Sequence, residues 1–154
     1  MSDPTDHSAP LDELRRRRAE LRQSMGLVEF TIAAPIREDP SRWLDAVARA
    51  WRELEEDFAD HLEVTEGPQG LYRDLETTAP RVSRRVNRLM AEHQGLREQF
   101  TEIRSVIDAG VTDAPGATHL RELGTHLLAT LAKHRQRGSD LVWEVYAFDV
   151  GGEN

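Results

Sequence analysis

One stripe of apolar residues constrains this chain more than any other feature. Between Pro80 and Ile107, Val82, Val86, Leu89, Leu96, Phe100, Ile103 and Ile107 recur at alternating steps of four and three, and His93 occupies one of the apolar positions. Steps of that size place side chains on one face of an α-helix, and their alternation is that of a helix packed into a bundle seam. His93 therefore points inward.

Three other segments carry the same pattern. Leu11, Leu14, Arg18, Leu21, Met25, Val28 and Ile32 mark a first helix to about Ala33, stopped by Pro35, with Gly26 costing about 1 kcal/mol relative to alanine inside it. Asp39 as N-cap and Pro40 at the first helical position open a second helix, which carries Trp43, Val47, Trp51, Leu54, Phe58 and His61. Gly67, Pro68 and Gly70 interrupt it and Leu71, Tyr72 and Leu75 resume an apolar surface, which reads as a kinked or restarted helix to about Leu75. After a turn over 76–79, with Thr78 as cap, the third helix opens at Pro80 and ends near Asp108, before the breakers that start at Gly110. The fourth begins near Thr118, runs through Leu120, Leu123, Leu127, Leu131, His134, Leu141 and Val145, and stops at Gly151 and Gly152. Four amphipathic helices with short connections and no strand imply an all-α fold, an antiparallel up-and-down four-helix bundle over 11–150 behind a polar tail over 1–10.

Composition narrows the function. A chain of 154 residues suits one domain. No apolar run approaches the roughly 18 residues of a membrane span, and the N-terminus lacks the apolar stretch of a secretory signal, so the expected place is the cytoplasm, with no membrane partner. The net charge of −8 argues against nucleic acid as a partner, since phosphate binding needs a basic face. The one basic run, Arg15 to Arg18, has Asp12, Glu13 and Glu20 at helical spacing and reads as a salt-bridged surface. With no cysteine, any metal must be held by nitrogen and oxygen. Neither a nucleophile with a partner histidine nor a glycine-rich phosphate loop is present, so a non-enzymatic protein is expected. Trp43, Trp51 and Trp143 are read as core; one of them in an exposed patch would point to a homo-oligomer.

His61, His93 and His134 are three histidines on the apolar stripes of three helices. In an antiparallel bundle, residues share a level when they lie equally far from the connecting turn. His93 is 13 residues after Pro80 and His61 is 14 before Leu75; His93 is 15 before Asp108 and His134 is 16 after Thr118. Were the second helix to end at Gly67, the first match would fail by roughly 11 Å. The three rings either converge as metal ligands or are separate core histidines bonded to carbonyls, carboxylates or water. Ring nitrogens within about 4 Å of one another would favour a shared metal, for which Glu66 is the best additional ligand. Imidazole suits iron, zinc, copper or nickel alike.

The stretches DHLEVTEGPQGLY around His61, AEHQGL around His93 and AKHRQRGSDLVWEVYAFDVGGE around His134 resemble the hemerythrin-like, or HHE cation-binding, family, over about Trp43 to Glu153. The resemblance implies a four-helix bundle with a non-haem iron site in its core. Several positions depart from the family pattern. The first helix has no histidine, Thr65 stands where a carboxylate is expected, Leu89 and Arg97 flank His93 where a second histidine is usual, and Arg135, Gln136, Arg137 and Gly138 replace acidic residues after His134. A complete di-iron ligand set cannot be assembled. The expectation is a mononuclear or degenerate iron site held by His61, Glu66, His93 and His134, serving sensing, storage or redox defence. Zinc, a haem ligated by one or two of the histidines, another small ligand, or a metal-free bundle in which Arg18 reaches inward to a carboxylate such as Glu66 are the alternatives.

Overall fold

The computed structural model describes residues 8–37 and 39–151, of which 8–10 and 148–151 are described as backbone only. Four long helices and one short one make up the chain: α1 (Ser8–Ala33), α2 (Pro40–Glu66), α3 (Leu71–Thr78), α4 (Ser83–Ala109) and α5 (Ala114–Gly151), with a 3-10 turn at Pro80–Val82. The described residues contain no strand, and the long helices form an all-α four-helix bundle. α1 packs chiefly on α2 and α4 on α5, while α1–α5 and α2–α4 contacts close the ring. Short connections force successive long helices to run antiparallel.

The helix boundaries follow local chemistry. At the start of α2, Asp39 Oδ1 accepts from the Ser41 backbone N–H at 2.9 Å, and Pro40, which has no N–H to lose, takes the first helical position. α1 begins at Ser8 and passes Gly26 unbroken, so only 1–7 of the expected tail lie outside the described residues. α5 begins at Ala114 rather than near Thr118. Asp113 Oδ1 accepts from the Gly116 N–H at 2.8 Å, and Pro115 sits in the first turn, where proline does not break a helix. Gly151 is the last described helical residue, and the stop expected at Gly152 falls outside the described residues. Thr78 caps nothing; it is the last residue of α3, and the turn after it has no side-chain cap.

The break after α2 is steric. A Cβ at Gly67 would lie 2.3 Å from Glu63 O, and one at Gly70 would lie 2.5 Å from Thr65 O, so the turn is tight enough to need both glycines. The chain then restarts as α3 and runs on for eight residues before α4 returns. That onward run preserves the level match between His61 and His93 although α2 itself ends at Glu66.

Two apolar clusters fill the bundle. One gathers Leu21, Trp51, Leu54, Phe58, Leu96, Phe100, Leu127 and Leu131 with their neighbours; the other gathers Tyr72, Leu75, Val82, Val86, Leu89, Leu141 and Val145. On α4, His93 falls between Leu89 of one cluster and Leu96 of the other, and on α5 His134 falls between Leu131 and Leu141. The histidines thus form a polar layer between two apolar ones. Trp43 and Trp51 are core residues as expected, but Trp143 is 70% exposed, because it lies two residues from both Leu141 and Val145 and so faces away from their stripe.

The glycines give a test of opposite signs. Gly70→Ala should lower the unfolding free energy by about 1–3 kcal/mol, since the backbone must shift to admit the methyl group. Gly26→Ala, at an exposed helical position with open space around its Cβ, should raise it by about 0.5–1 kcal/mol. Urea titration of each variant measures both.

Candidate metal centre

The three sequence-singled histidines meet. Nε2 of His61 lies 3.1 Å from Nε2 of His93 and 3.2 Å from Nε2 of His134, and the last two are 3.0 Å apart. All three rings are buried. Phe58 closes one side of the layer, stacked on His61 with centroids 6.1 Å apart, and Tyr72 closes the other, stacked on His93 at 5.5 Å. The Tyr72 hydroxyl lies 3.2 Å from His93 Nε2, at the edge of the triangle.

Glu66, expected to join the histidines as a ligand, stands outside the triangle. It accepts a 2.8 Å hydrogen bond from Nδ1–H of His93, the nitrogen on the far side of the ring, and its other oxygen accepts from Arg97 Nη2 at 3.2 Å. The reason lies in the turn: Glu66 is the last residue of α2, one place past Thr65, whose hydroxyl folds back to donate to His61 O at 2.7 Å. A matching arrangement holds His134. Its Nδ1–H donates to Glu92 Oε2 at 2.7 Å, and Glu92 Oε1 is paired with Arg137 at 2.7 Å.

These outer contacts set the chemistry inside. A carboxylate accepts, so each bonded Nδ1 carries the proton and each Nε2 of His93 and His134 presents a lone pair to the triangle. Burial pushes the His61 imidazole down to about 3, helped by the neighbouring histidines and by Arg18 and Arg135. Burial likewise lowers His93 to about 4 and lowers His134, in each case against the opposing pull of its carboxylate. The triangle is therefore neutral near pH 7 and rich in lone pairs, the state in which imidazole binds metal. Three nitrogens each about 2.1 Å from one ion are ~3.0 Å apart when the bonds meet at right angles and ~3.4 Å apart at the tetrahedral angle. The observed spacings fall within that range, so the donor set fits a single ion.

The departures noted in the sequence now have places. Arg97, where a second histidine was expected, neutralises Glu66, and Arg137, in the stretch that lacks acidic residues, neutralises Glu92. α1 brings Leu14 and Arg18 to the layer and no ligand. Arg18 does not reach Glu66; its Nη2 donates to Arg135 O at 3.5 Å. The basic run otherwise behaves as expected, with Arg15 paired to Asp12, Arg16 to Glu13, and Arg17 to Glu13, Glu20 and Asp60. Sequence reading missed Glu92 and Tyr72. Glu92 carried a usable signal: the residue before an inward histidine is rotated about 100° around the helix, toward a neighbouring helix. Tyr72 carried none beyond the restart after Gly70.

The chain matches the family model of the hemerythrin HHE cation binding domain over residues 6–137. It belongs to that family. The match takes in α1, which the motifs around the histidines did not cover, and ends before the Asp-Val-Gly-Gly segment at 149–152. No curated protein and no solved structure matches the chain. No helix among the described residues is long and apolar enough to cross a membrane.

The depressed histidines fix the sign of a pH effect. They are neutral in the metal-free fold and protonate near 6.5 in the unfolded chain, so their contribution is complete above about pH 6.5 and is lost as pH falls toward 4. His61 and His93 should each remove about 1.4 kcal/mol per pH unit across that window, and His134 acts in the same direction. Urea unfolding of metal-free protein at pH 7, 6 and 5 should show the slope, and the His61→Gln/His93→Gln/His134→Gln variant should flatten it.

Proposed function

We propose that this hemerythrin-family bundle binds one divalent transition metal, iron, between His61, His93 and His134, in a non-enzymatic role in sensing, storage or redox defence. One observation carries the reading: three Nε2 atoms stand 3.0–3.2 Å apart while two of the rings have their other nitrogen committed to a carboxylate. Without a cation, three imidazoles can satisfy one another only in part, and a buried polar group left unpaired costs about 1–3 kcal/mol. Glu66 and Glu92 orient their histidines and raise the basicity of the inward nitrogens, as carboxylates behind metal-binding histidines do. Iron bound there would supply a Lewis-acidic, redox-active centre.

The cavity at the histidines supports a small-molecule rather than a substrate-processing role. It measures about 20 Å³, roughly the room for one water molecule, and is lined by Leu14, Arg18, His61, Tyr72 and His134 among others. Haem, entertained from the sequence, finds no space in it. The all-nitrogen donor set favours zinc as a second reading, because three histidines with an open position is an established zinc arrangement.

Elemental analysis of protein purified without a histidine tag, then loaded anaerobically with ferrous iron, tests the proposal. The expected result is about one metal per chain, iron in preference to zinc, falling to background in His134→Ala. Less than about 0.1 metal per chain after loading would sink the metal reading, and one equivalent of zinc in place of iron would favour the second. Glu92→Gln should retain the fold and weaken binding by about 10–100-fold, as loss of such an outer carboxylate does.

A further inference from the structure

The histidine layer has one side that no ligand-bearing helix covers, and that side faces α1. There Arg15, Arg18 and Arg22 of α1, spaced on one helical face, and Arg135 of α5 line an open recess of about 590 Å³. Arg18 and Arg135 also line the small cavity at His61 and His134, so the recess leads inward to the histidines. The two guanidiniums pass one another: Arg18 Nη2 donates to Arg135 O at 3.5 Å, and Arg135 Nη2 donates to Arg18 O at 3.4 Å. Arg135 Nε is buried and has no hydrogen-bond partner.

This grouping is electrostatically unfavourable as it stands. Arg18 and Arg135 are each partly buried, and Arg22 lines the same recess beside them, so like charges are held close together away from bulk water. The chain carries 28 acidic and 20 basic residues, so carboxylates are in surplus. Among the described residues, however, none forms an ion pair with Arg18, Arg22 or Arg135, whereas the adjacent Arg16 and Arg17 pair with Glu13, Glu20 and Asp60. Three cations kept together without a counter-charge, two of them half-buried, are what an anion site requires.

We propose that the Arg18–Arg135 recess binds a small inorganic oxyanion. Guanidinium offers paired N–H donors that match two oxygens of such an ion, and the free Nε–H of Arg135 is one of them. The narrow inner end restricts the ligand to a small ion, and the net charge of −8 disfavours nucleic acid or an anionic membrane as the source of the phosphate-like group. The anion sits beside the histidine triangle, on the side from which a small ligand would reach it. Its binding needs the arginines and not a metal.

Inorganic phosphate is the probe, titrated calorimetrically into metal-free protein at low ionic strength. A Kd of about 1 mM or tighter is expected, weakened about tenfold or more in Arg18→Gln and in Arg135→Gln, and unchanged in Arg52→Gln, an exposed arginine of α2. Circular dichroism checks that each variant is folded, and Arg22→Gln, at an exposed position, gives a second weakened variant that leaves the bundle interior untouched. Binding weaker than about 10 mM, or equal binding by wild type and the arginine variants, would overturn the proposal. So would retention on phosphatidylglycerol vesicles without binding of free phosphate. Because the protein is metal-free throughout, failure here leaves the metal reading standing, and failure of metal loading leaves this one standing.

Discussion

The structure depends on the close approach of three imidazoles between two apolar clusters. An apolar layer at that level would pack without polar cost, since leucine or phenylalanine at His61, His93 and His134 would continue the stripes of α2, α4 and α5. Instead the chain buries three nitrogens that repel unless a proton or a cation is shared among them. The clusters on either side make this tolerable: Phe58 and Tyr72 hold the rings in place, and the apolar layers above and below supply the burial that a polar layer does not. The burial that disfavours protonation also keeps the lone pairs available, so the feature that weakens the metal-free fold is the one that prepares a cation site.

Orientation comes from outside the triangle. His93 and His134 are each turned by a carboxylate on the outer nitrogen, and each carboxylate is in turn neutralised by an arginine nearer solvent, Arg97 for Glu66 and Arg137 for Glu92. These two relays reach the site from different directions, one from the end of α2 and one from within α4, and they leave the centre without net charge before any ion binds. A divalent cation would then carry its charge undiminished, in contrast to a site in which carboxylates bind the metal directly. Glu66, at the edge of the Gly67–Gly70 turn, is at once the helix end, the partner of His93 and the partner of Arg97.

The fold was legible because period is a local property. Steps of three and four gave four long helices, the Asp39–Pro40 start and the break near Gly67, and counting residues from the turns brought His61, His93 and His134 to one level. The family signal lay in the same residues. What sequence could not supply was direction around the helix and reach. Glu66 was read as a ligand because it follows His61 closely, yet the helix ends there and its carboxylate meets the outer face of His93. Arg97, Arg137 and Gly138 looked like losses from a family pattern, and two of them are working partners of Glu66 and Glu92. Tyr72 depended on how α3 restarts after Gly70, which steric contact decides and composition does not. Pro115, taken as a breaker, opens α5 because Asp113 caps the turn before it.

The fourth helix of the ring accounts for the remaining asymmetry. α1 packs into the bundle through Leu14, Leu21, Met25, Val28 and Ile32, and among the described residues it lines the cavity at the histidines with Leu14 and Arg18. A second metal beside the first would need donors from this side, and an arginine there supplies a positive charge instead. Arg18 makes the open edge of the site a place of positive potential, continuous with Arg22 and Arg135. A small anion drawn to that edge would stabilise a cation held by the neutral nitrogens, so a helix that brings no ligand and the arginines gathered beside it fit one arrangement of charge.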